Sequence, residues 1–573
     1  MMLLSLSVVA AGALSQVLTS RASVASGGVQ VSARSHSSSV SDDGRFVAFV
    51  SSASNLVVGD TNGVEDVFVH DRLFGQTTRI SINTSGVQGN NRSGSPAVDG
   101  NGRFVTFSSF ASNLVASDTN NQGDVFIHDR VLGTTQVVSK STGGVLGTHE
   151  SRLPSISNDG RYVAFQSASA NFVAGDTNQL PDIFVRDLIA GETNRVSVAP
   201  GGVQANSMSQ EAAISGNGEW IAFRSWATNL VPNDTNMQPD VFAVSRIGGQ
   251  VNLISMSNAF GPSNGSSEDP SISDDGRFVG FESAATNLVN DDANGLVDVF
   301  VRDQLCFTTS LASVSSSGVQ GDGFSTDATI CGDGRFVAFF TFATNLVPDN
   351  LPFNENVVLR DTWTFSTSLA SKSTPGLASN FISREPSISG NGRFVAYESG
   401  GSNLVPLDTN HNADVFVTDL AASSSGASQF QLVRGRLIGG NLASLQASDD
   451  DRLLLGPGIT FSAQQPPIEV YFIGSIGTSQ ISELEIFIES STSSPALSQT
   501  MEIFNYQTCV FEPLGTKNPG TIDSFHSGQP VGDLGEYSSG GEVLVRVTYR
   551  ANGPLFSYPW QTRIDQVRFV VSN

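Results

Sequence analysis

Along most of the chain, hydrophobic and polar positions recur at a fixed spacing. The phrase SDDGRFVAF, ending at Phe49, returns as DGNGRFVTF, SNDGRYVAF, SGNGEWIAF, SDDGRFVGF, CGDGRFVAF and SGNGRFVAY. Their turn glycines, Gly44, Gly102, Gly160, Gly218, Gly276, Gly334 and Gly392, are 58 residues apart at every step, which marks a repeat architecture. Each unit predicts four strands. A short first strand, such as Pro154 to Ser157, enters an Asp-Gly or Asn-Gly turn, a pair that accepts the positive φ of a tight hairpin. The second strand, RFVAF, is apolar on both faces, as in a strand covered by neighbours. A long loop containing NLV and DTN leads to a third strand, DVFV, and a turn to a fourth such as TTRISI. Four-stranded units repeated radially are propeller blades; a stacked solenoid is the competitor, and the equal periods favour a ring.

The ends of the repeat suggest how that ring closes. Arg21 to Gln30 (RASVASGGVQ) match Arg79 to Gln88 (RISINTSGVQ) at the same offset, and read as a fourth strand with no blade before it. The seventh unit ends at DVFVTDL and runs into AASSSGAS, where its own fourth strand should be. The N-terminal segment can fill that place and remove an exposed edge; Gln429 to Val433 (QFQLV) is the alternative. Six units pair Arg at the start of the second strand with Asp at the end of the third: Arg45 with Asp71, Arg103 with Asp129, Arg161 with Asp187, Arg277 with Asp303, Arg335 with Asp361 and Arg393 with Asp419. In the fourth unit both change together, to Glu219 and Ser245. Cross-strand ion pairs are expected at these ends.

Beyond about residue 430 the repeat stops, and apolar or alternating runs occur at 468–474, 483–489, 500–506, 543–549 and 564–571 between Gly-, Pro- and Ser-rich turns. The expected fold is therefore all-β, a seven-bladed β-propeller followed by a β-sandwich or jelly-roll domain. The expected divisions are an export signal at 1–18, the propeller at 19–423, a linker at 424–429 and the sandwich at 430–573.

The pattern PSIS-x-DGRFVAF followed by DVFVRD resembles the TolB-like, WD-type propeller repeats of bacterial envelope and secreted proteins, over residues 19 to about 423. The tail resembles C-terminal modules attached to such propellers in secreted bacterial proteins. The resemblance implies the fold and not a function. TolB itself is known for six blades, so a count of seven departs from it.

Composition narrows the partners. At 573 residues the chain is too long for one core, and 39% hydrophobic with 15% charged residues indicates a packed protein. A net charge of −24 offers no basic stripe for phosphates, which excludes nucleic acid as an expected partner and disfavours anionic membranes. Protein, glycan or cations fit better, although an acidic surface can simply keep an exported monomer soluble. Cys306, Cys331 and Cys509 suggest no disulfide framework. The N-terminal MMLLSLSVVAAGALSQ resembles the core of a secretory signal without its positive flank, and is too short to span a bilayer. No later segment reads as transmembrane, so the expected location is periplasmic, cell-surface or extracellular.

The most suggestive chemistry is a recurring acidic loop, Asp-x-Asn-x-x-x-Asp. It occurs as Asp60, Asn62, Asp66; Asp118, Asn120, Asp124; Asp176, Asn178, Asp182; Asp234, Asn236, Asp240; Asp292, Asn294, Asp298; and Asp408, Asn410, Asp414. The sixth unit breaks it with Asn350, Pro352 and Asn356. Clustered side-chain oxygens suit a hard cation such as Ca²⁺. The same residues also favour tight loops by bonding their own backbone, and the pattern lacks the glycine and bidentate Glu of an EF-hand. Asn55, Asn113, Asn171, Asn229, Asn287, Asn345 and Asn403 recur in every unit and are expected to satisfy loop backbone. Gly261-Pro-Ser263-Asn-Gly265 fits G-x-S-x-G by letters, with no helix after it to make a nucleophile elbow. His36, His70, His128, His149, His411 and His526 are scattered. Tyr506, Tyr558 and Trp560 could stack on sugars, or pack in a core. With no catalytic set in view, the expectation is an exported, non-catalytic binding or scaffold protein that uses the loop-rich acidic face for protein or glycan contact. The alternatives are a glycan-directed lyase or hydrolase, and a structural or adhesive surface protein, for which calcium is a candidate cofactor.

Overall fold

The structure is a computed structural model. It describes residues 18–420, apart from 233, 291, 349–354 and 375, and thereafter mainly the strands between 429 and 572. Asn350, Pro352, Tyr506, Tyr558 and Trp560 lie outside the described residues.

The described chain is all-β and propeller-like. Sheet 1 comprises Ser35–Val40, Phe46–Ser51, Asp66–Asp71 and Gln76–Arg79, paired antiparallel in that order. Sheets 2 to 6 repeat the arrangement with first strands Ser93–Val98, Ser151–Ile156, Ser209–Ile214, Ser267–Ile272 and Ser325–Ile330. Sheet 7 contains Ser383–Ile388, Phe394–Ser399 and Asp414–Asp419, and its fourth strand is Leu18–Arg21. The first strand of each sheet lies beside those of the sheets before and after it, and the circuit returns from Ser383–Ile388 to Ser35–Val40.

Leu18–Arg21 pairs with the third strand of sheet 7, from Leu18 opposite Asp419 to Arg21 opposite Phe416. The strand therefore ends where the matched segment Arg21 to Gln30 begins. After it, Ser23 Oγ donates to Asp414 Oδ1 at 2.8 Å and turns the chain in toward the third strand's start. The alternative strand, QFQLV, belongs elsewhere: Gln429–Arg434 pairs with Ile468–Ser475. Residues beyond 428 contribute two five-stranded antiparallel sheets, with Met501, Ile503, Val545, Val547 and Tyr549 buried at alternate positions.

Packing between neighbouring sheets rests on the hairpin glycines. Gly44 has φ +74°, and a Cβ there would meet the Phe394 ring at 1.9 Å, so no other residue fits without displacing that ring. Within sheets, aromatics stack across the second and third strands: Phe49 on Phe68 at 5.9 Å and Phe107 on Phe126 at 5.8 Å between ring centroids. All six expected Arg–Asp pairs form, from Arg45–Asp71 at 2.7 Å to Arg393–Asp419 at 2.8 Å. In sheet 4 the Ser245 hydroxyl donates to Glu219 instead, and Arg246 lies over the Tyr162 ring, 3.8 Å from its centroid.

The cysteines correct one expectation. Cys306 is disulfide-bonded. Disulfide connectivity cannot be read from cysteine spacing alone. Cys331 is free and buried.

Candidate functional site

Each first strand carries a bulge where its register with the second strand shifts. The bulged residues Ser37, Ser95, Leu153, Glu211, Asp269, Asp327 and Glu385 all have positive φ, between 46° and 57°. A bulge re-aims a side chain away from the alternation of its strand. Here the seven bulged residues line one cavity of about 410 Å³, bordered by the first strands of all seven sheets.

The lining is asymmetric. Three successive units present Ser37, Ser95 and Leu153, and the next four present carboxylates, Glu211, Asp269, Asp327 and Glu385. Glu282, from the second strand of sheet 5, joins this arc. One oxygen from each of Asp269, Glu282 and Asp327 falls within 4.8 Å of the others, a spacing that a single positive charge can bridge. The bulge backbone holds the arc in place. Asp327 N–H donates to Glu282 Oε2 at 3.0 Å, Asp269 N–H to Glu211 Oε2 at 3.4 Å, and Ser37 N–H to Glu385 Oε2 at 3.0 Å.

Nearby cations are already engaged. Arg224 Nη2 lies 2.6 Å from Glu211 Oε1, and its other terminal nitrogen contacts Glu268. Arg34 and Arg384 both pair with Glu398, at 2.9 and 3.6 Å. Among the described residues, Asp269, Glu282 and Asp327 have no ion pair. Burial, then repulsion from Asp269, pushes Glu282 up to about 8, Glu211 to about 7 and Asp327 to about 6. Asp269 is raised by burial as well. The arc thus stores proton affinity that a cationic group would displace.

No family profile matches the chain, and no curated protein matches it. Among solved structures, the chain is similar to a TolB from Agrobacterium tumefaciens, at 16% identity over 49% of this chain and 80% of that one, with a TM-score of 0.31. It is also similar to TolB from Acinetobacter baumannii, at 13% identity over 62% and 76%, TM-score 0.32. A prolyl endopeptidase matches at 11% identity over 77% and 54%, TM-score 0.42. Identities this low transfer no residue role to a position here. No helix among the described residues is long and apolar enough to cross a membrane.

The acidic loops lie apart from the arc, against the connections between units. Asn62 Nδ2 donates to Asp66 Oδ2 and to Gly89 O at 2.8 and 3.0 Å, and its Oδ1 accepts Val64 N–H. Asn120, Asn236, Asn294 and Asn410 repeat all three bonds. Asn178 bonds Ala205 O and Leu180 N–H. These asparagine oxygens are therefore committed to backbone. The loop asparagines exemplified by Asn55 do similar work: Asn55 Oδ1 accepts Ser32 N–H and its Nδ2 donates to Gln30 O. Ser263 is buried and donates to Asp240 Oδ1 at 2.7 Å. His70 and His128 are buried and bond Thr77 and Thr135, with burial lowering both rings.

No catalytic or metal-binding motif marks the arc in the sequence. Its signal is the repeat alignment itself: at one position the seven units read Ser, Ser, Leu, Glu, Asp, Asp, Glu.

Proposed function

We propose that this is an exported seven-bladed β-propeller, clasped by its N-terminal strand and followed by a β-sandwich at 430–573, that binds a partner protein. A Lys or Arg side chain of the partner enters the central cavity. The observation that carries this reading is the asymmetry of the lining. A scaffold repeated seven times places uncharged residues on one side of its mouth and four carboxylates on the other, with three oxygens lacking a cation. Concave sites with a few convergent polar groups are where binding concentrates, and charge complementarity sets partner choice and on-rate. The test is calorimetric titration of the full chain with tetralysine at low salt. The reading requires saturable binding that weakens on Asp327→Asn; unsaturable binding, or binding indifferent to Asp327→Asn, removes it.

A second reading rests on one observation: adjacent carboxylates whose proton affinities are pushed apart. Glu282, raised to about 8, would be protonated near neutrality beside Asp327, raised to about 6. That division of roles suits acid and base in glycan cleavage. Turnover of a polysaccharide panel, abolished by Glu282→Gln, would favour it over binding alone.

A further inference from the structure

The acidic loops differ among units in what neutralises them. In sheets 1, 3 and 7 an arginine at the end of the fourth strand does so. Arg79 Nη1 lies 3.2 Å from Asp60 Oδ1, 3.3 Å from Asp66 Oδ2 and 2.6 Å from Gln88 Oε1. Arg195 Nη1 stands 3.4 Å from Asp176 Oδ1 and 3.2 Å from Asp182 Oδ2. Arg21 stands 3.0 Å from Asp408 Oδ2 and 3.3 Å from Asp414 Oδ2. In each case a positive charge sits inside a cage of oxygens. Sheet 6 has Leu369 and Ala378 at the Arg and Gln positions, and there both aspartates are replaced, by Asn350 and Asn356. Sheet 5 has Leu311 but keeps Gln320, whose Nε2 donates to both Asp292 and Asp298 at 2.8 and 2.9 Å.

Sheets 2 and 4 keep both aspartates and lose both the Arg and the Gln, although in sheet 4 the Ser263 hydroxyl still donates to Asp240. The Arg position holds Val137 and Leu253, and the Gln position Leu146 and Pro262. Asp118 and Asp234 are only 8% and 6% exposed. One carboxylate oxygen of each, Asp118 Oδ1 and Asp234 Oδ1, is buried with no hydrogen-bond partner. Asp176 and Asp292 also keep one such oxygen, but the other oxygen of Asp176 faces Arg195 and that of Asp292 accepts from Gln320 Nε2. Buried carboxylates are paired or coordinate a metal, because desolvating an unpaired one is costly. A cavity of about 270 Å³ opens beside Asp118, lined by Asn90, Asn91, Ser112, Asn121 and Gln122, and gives an entry path with further oxygens.

We propose that sheets 2 and 4 each bind one divalent cation, between Asp118 and Asp124 and between Asp234 and Asp240, in the place that arginine fills in sheets 1, 3 and 7. The donors are oxygens only, which selects Ca²⁺ over softer metals, and the irregular loop suits its flexible coordination better than octahedral Mg²⁺. The proposal is independent of the central cavity.

Equilibrium dialysis of chelator-treated full-length protein against Ca²⁺, with metal analysis, tests it. Two ions per chain are expected. Val137→Arg and Leu253→Arg, which restore the guanidinium, each lower the count to one, and together to none. Chelator lowers Tm of the wild type and not of the double variant. Should Val137→Arg fail to fold by circular dichroism, Asp118→Asn is read in its place, again expecting one ion. No bound Ca²⁺, a count unmoved by these changes, or a count lowered instead by Glu282→Gln overturns the proposal.

Discussion

Arg21 Nη2 stands 3.0 Å from Asp408 Oδ2, joining the first described strand to the last loop of the repeat region. The two side chains are 8% and 6% exposed, and Asp414, paired with the same arginine, is fully buried. Arg21 is therefore more than a surface charge. Replacing it by Ala leaves two buried carboxylates facing each other without a cation, which costs about 3–5 kcal/mol. Urea unfolding of Arg21→Ala is expected to show a lower midpoint with an unchanged slope. A loss within about 0.5 kcal/mol, typical of a surface substitution, would mean the clasp is held by its strand pairing alone.

The hairpin glycines can be tested in a way that separates backbone from packing. Gly160 and Gly175 both have positive φ, +71° and +82°. A Cβ on Gly160 would meet Phe104 Cδ2 at 2.3 Å, whereas one on Gly175 would meet nothing within 4 Å. Gly175→Ala should cost only the conformational term, about 1 kcal/mol. Gly160→Ala adds overpacking of about 1–3 kcal/mol. Equal losses in thermal or chemical unfolding would show that the ring contact between sheets contributes nothing.

These positions also show why some of the molecule can be read from its sequence and some cannot. The sheets follow from local patterns, such as DGRFVAF and DVFVRD, which spell out a hairpin and its strands within one unit, and the Arg45–Asp71 pairing reports a neighbouring strand directly. The acidic arc has no local pattern. Glu211, Asp269, Asp327 and Glu385 each read as an ordinary polar residue in a half-exposed strand, until the bulge turns them inward and the closing circuit gathers them. In the tail, the five apolar runs coincide with strands, whereas the strand Val510–Lys517 contains Pro513 and Gly515, residues that argue against a strand in the sequence. It lies at the edge of its sheet, where a missing N–H donor is tolerated. The oxygen cages of Arg21, Arg79 and Arg195 were hidden for another reason. The arginine occupies its position in only three of the seven units, so no repeat-wide pattern ties it to the loop, and Arg21 lies at the opposite end of the repeat region from Asp408 and Asp414.

Stability should fall as pH rises from about 4 to 8. Glu282, Glu211 and Asp327 titrate in the folded protein at about 8, 7 and 6, against ordinary values near 4 in an unfolded chain. Between those limits the folded state binds more protons than the unfolded state, so stability decreases with pH. The stabilisation is complete below the unfolded values and is lost as pH passes the folded ones. The groups facing Glu282 are Asp269, Asp327 and Glu268, all acidic, so no nearby cation reverses the sign. Glu282→Gln keeps an oxygen to accept Asp327 N–H and removes the charge. At pH 8.5 it should stabilise the protein by about 1–3 kcal/mol, and by much less at pH 5. Equal effects at both pH values would show that Glu282 stays ionised throughout.

Binding should follow the same residues from the opposite direction. A cationic side chain in the cavity favours the ionised carboxylates, so affinity for a basic peptide should rise from pH 5 to pH 8.5 as Asp327, Glu211 and Glu282 lose their protons. At pH 8, Asp327→Asn removes one charge from the three-oxygen cluster and should weaken binding about tenfold, on the scale of one close charge pair. Leu153→Ala alters the uncharged side of the same mouth and should leave affinity within about twofold. The pair of variants separates a cavity that recognises charge from one that recognises shape. If Leu153→Ala weakens binding as much as Asp327→Asn does, the apolar wall makes the decisive contact, and the asymmetry of the ring is read through packing.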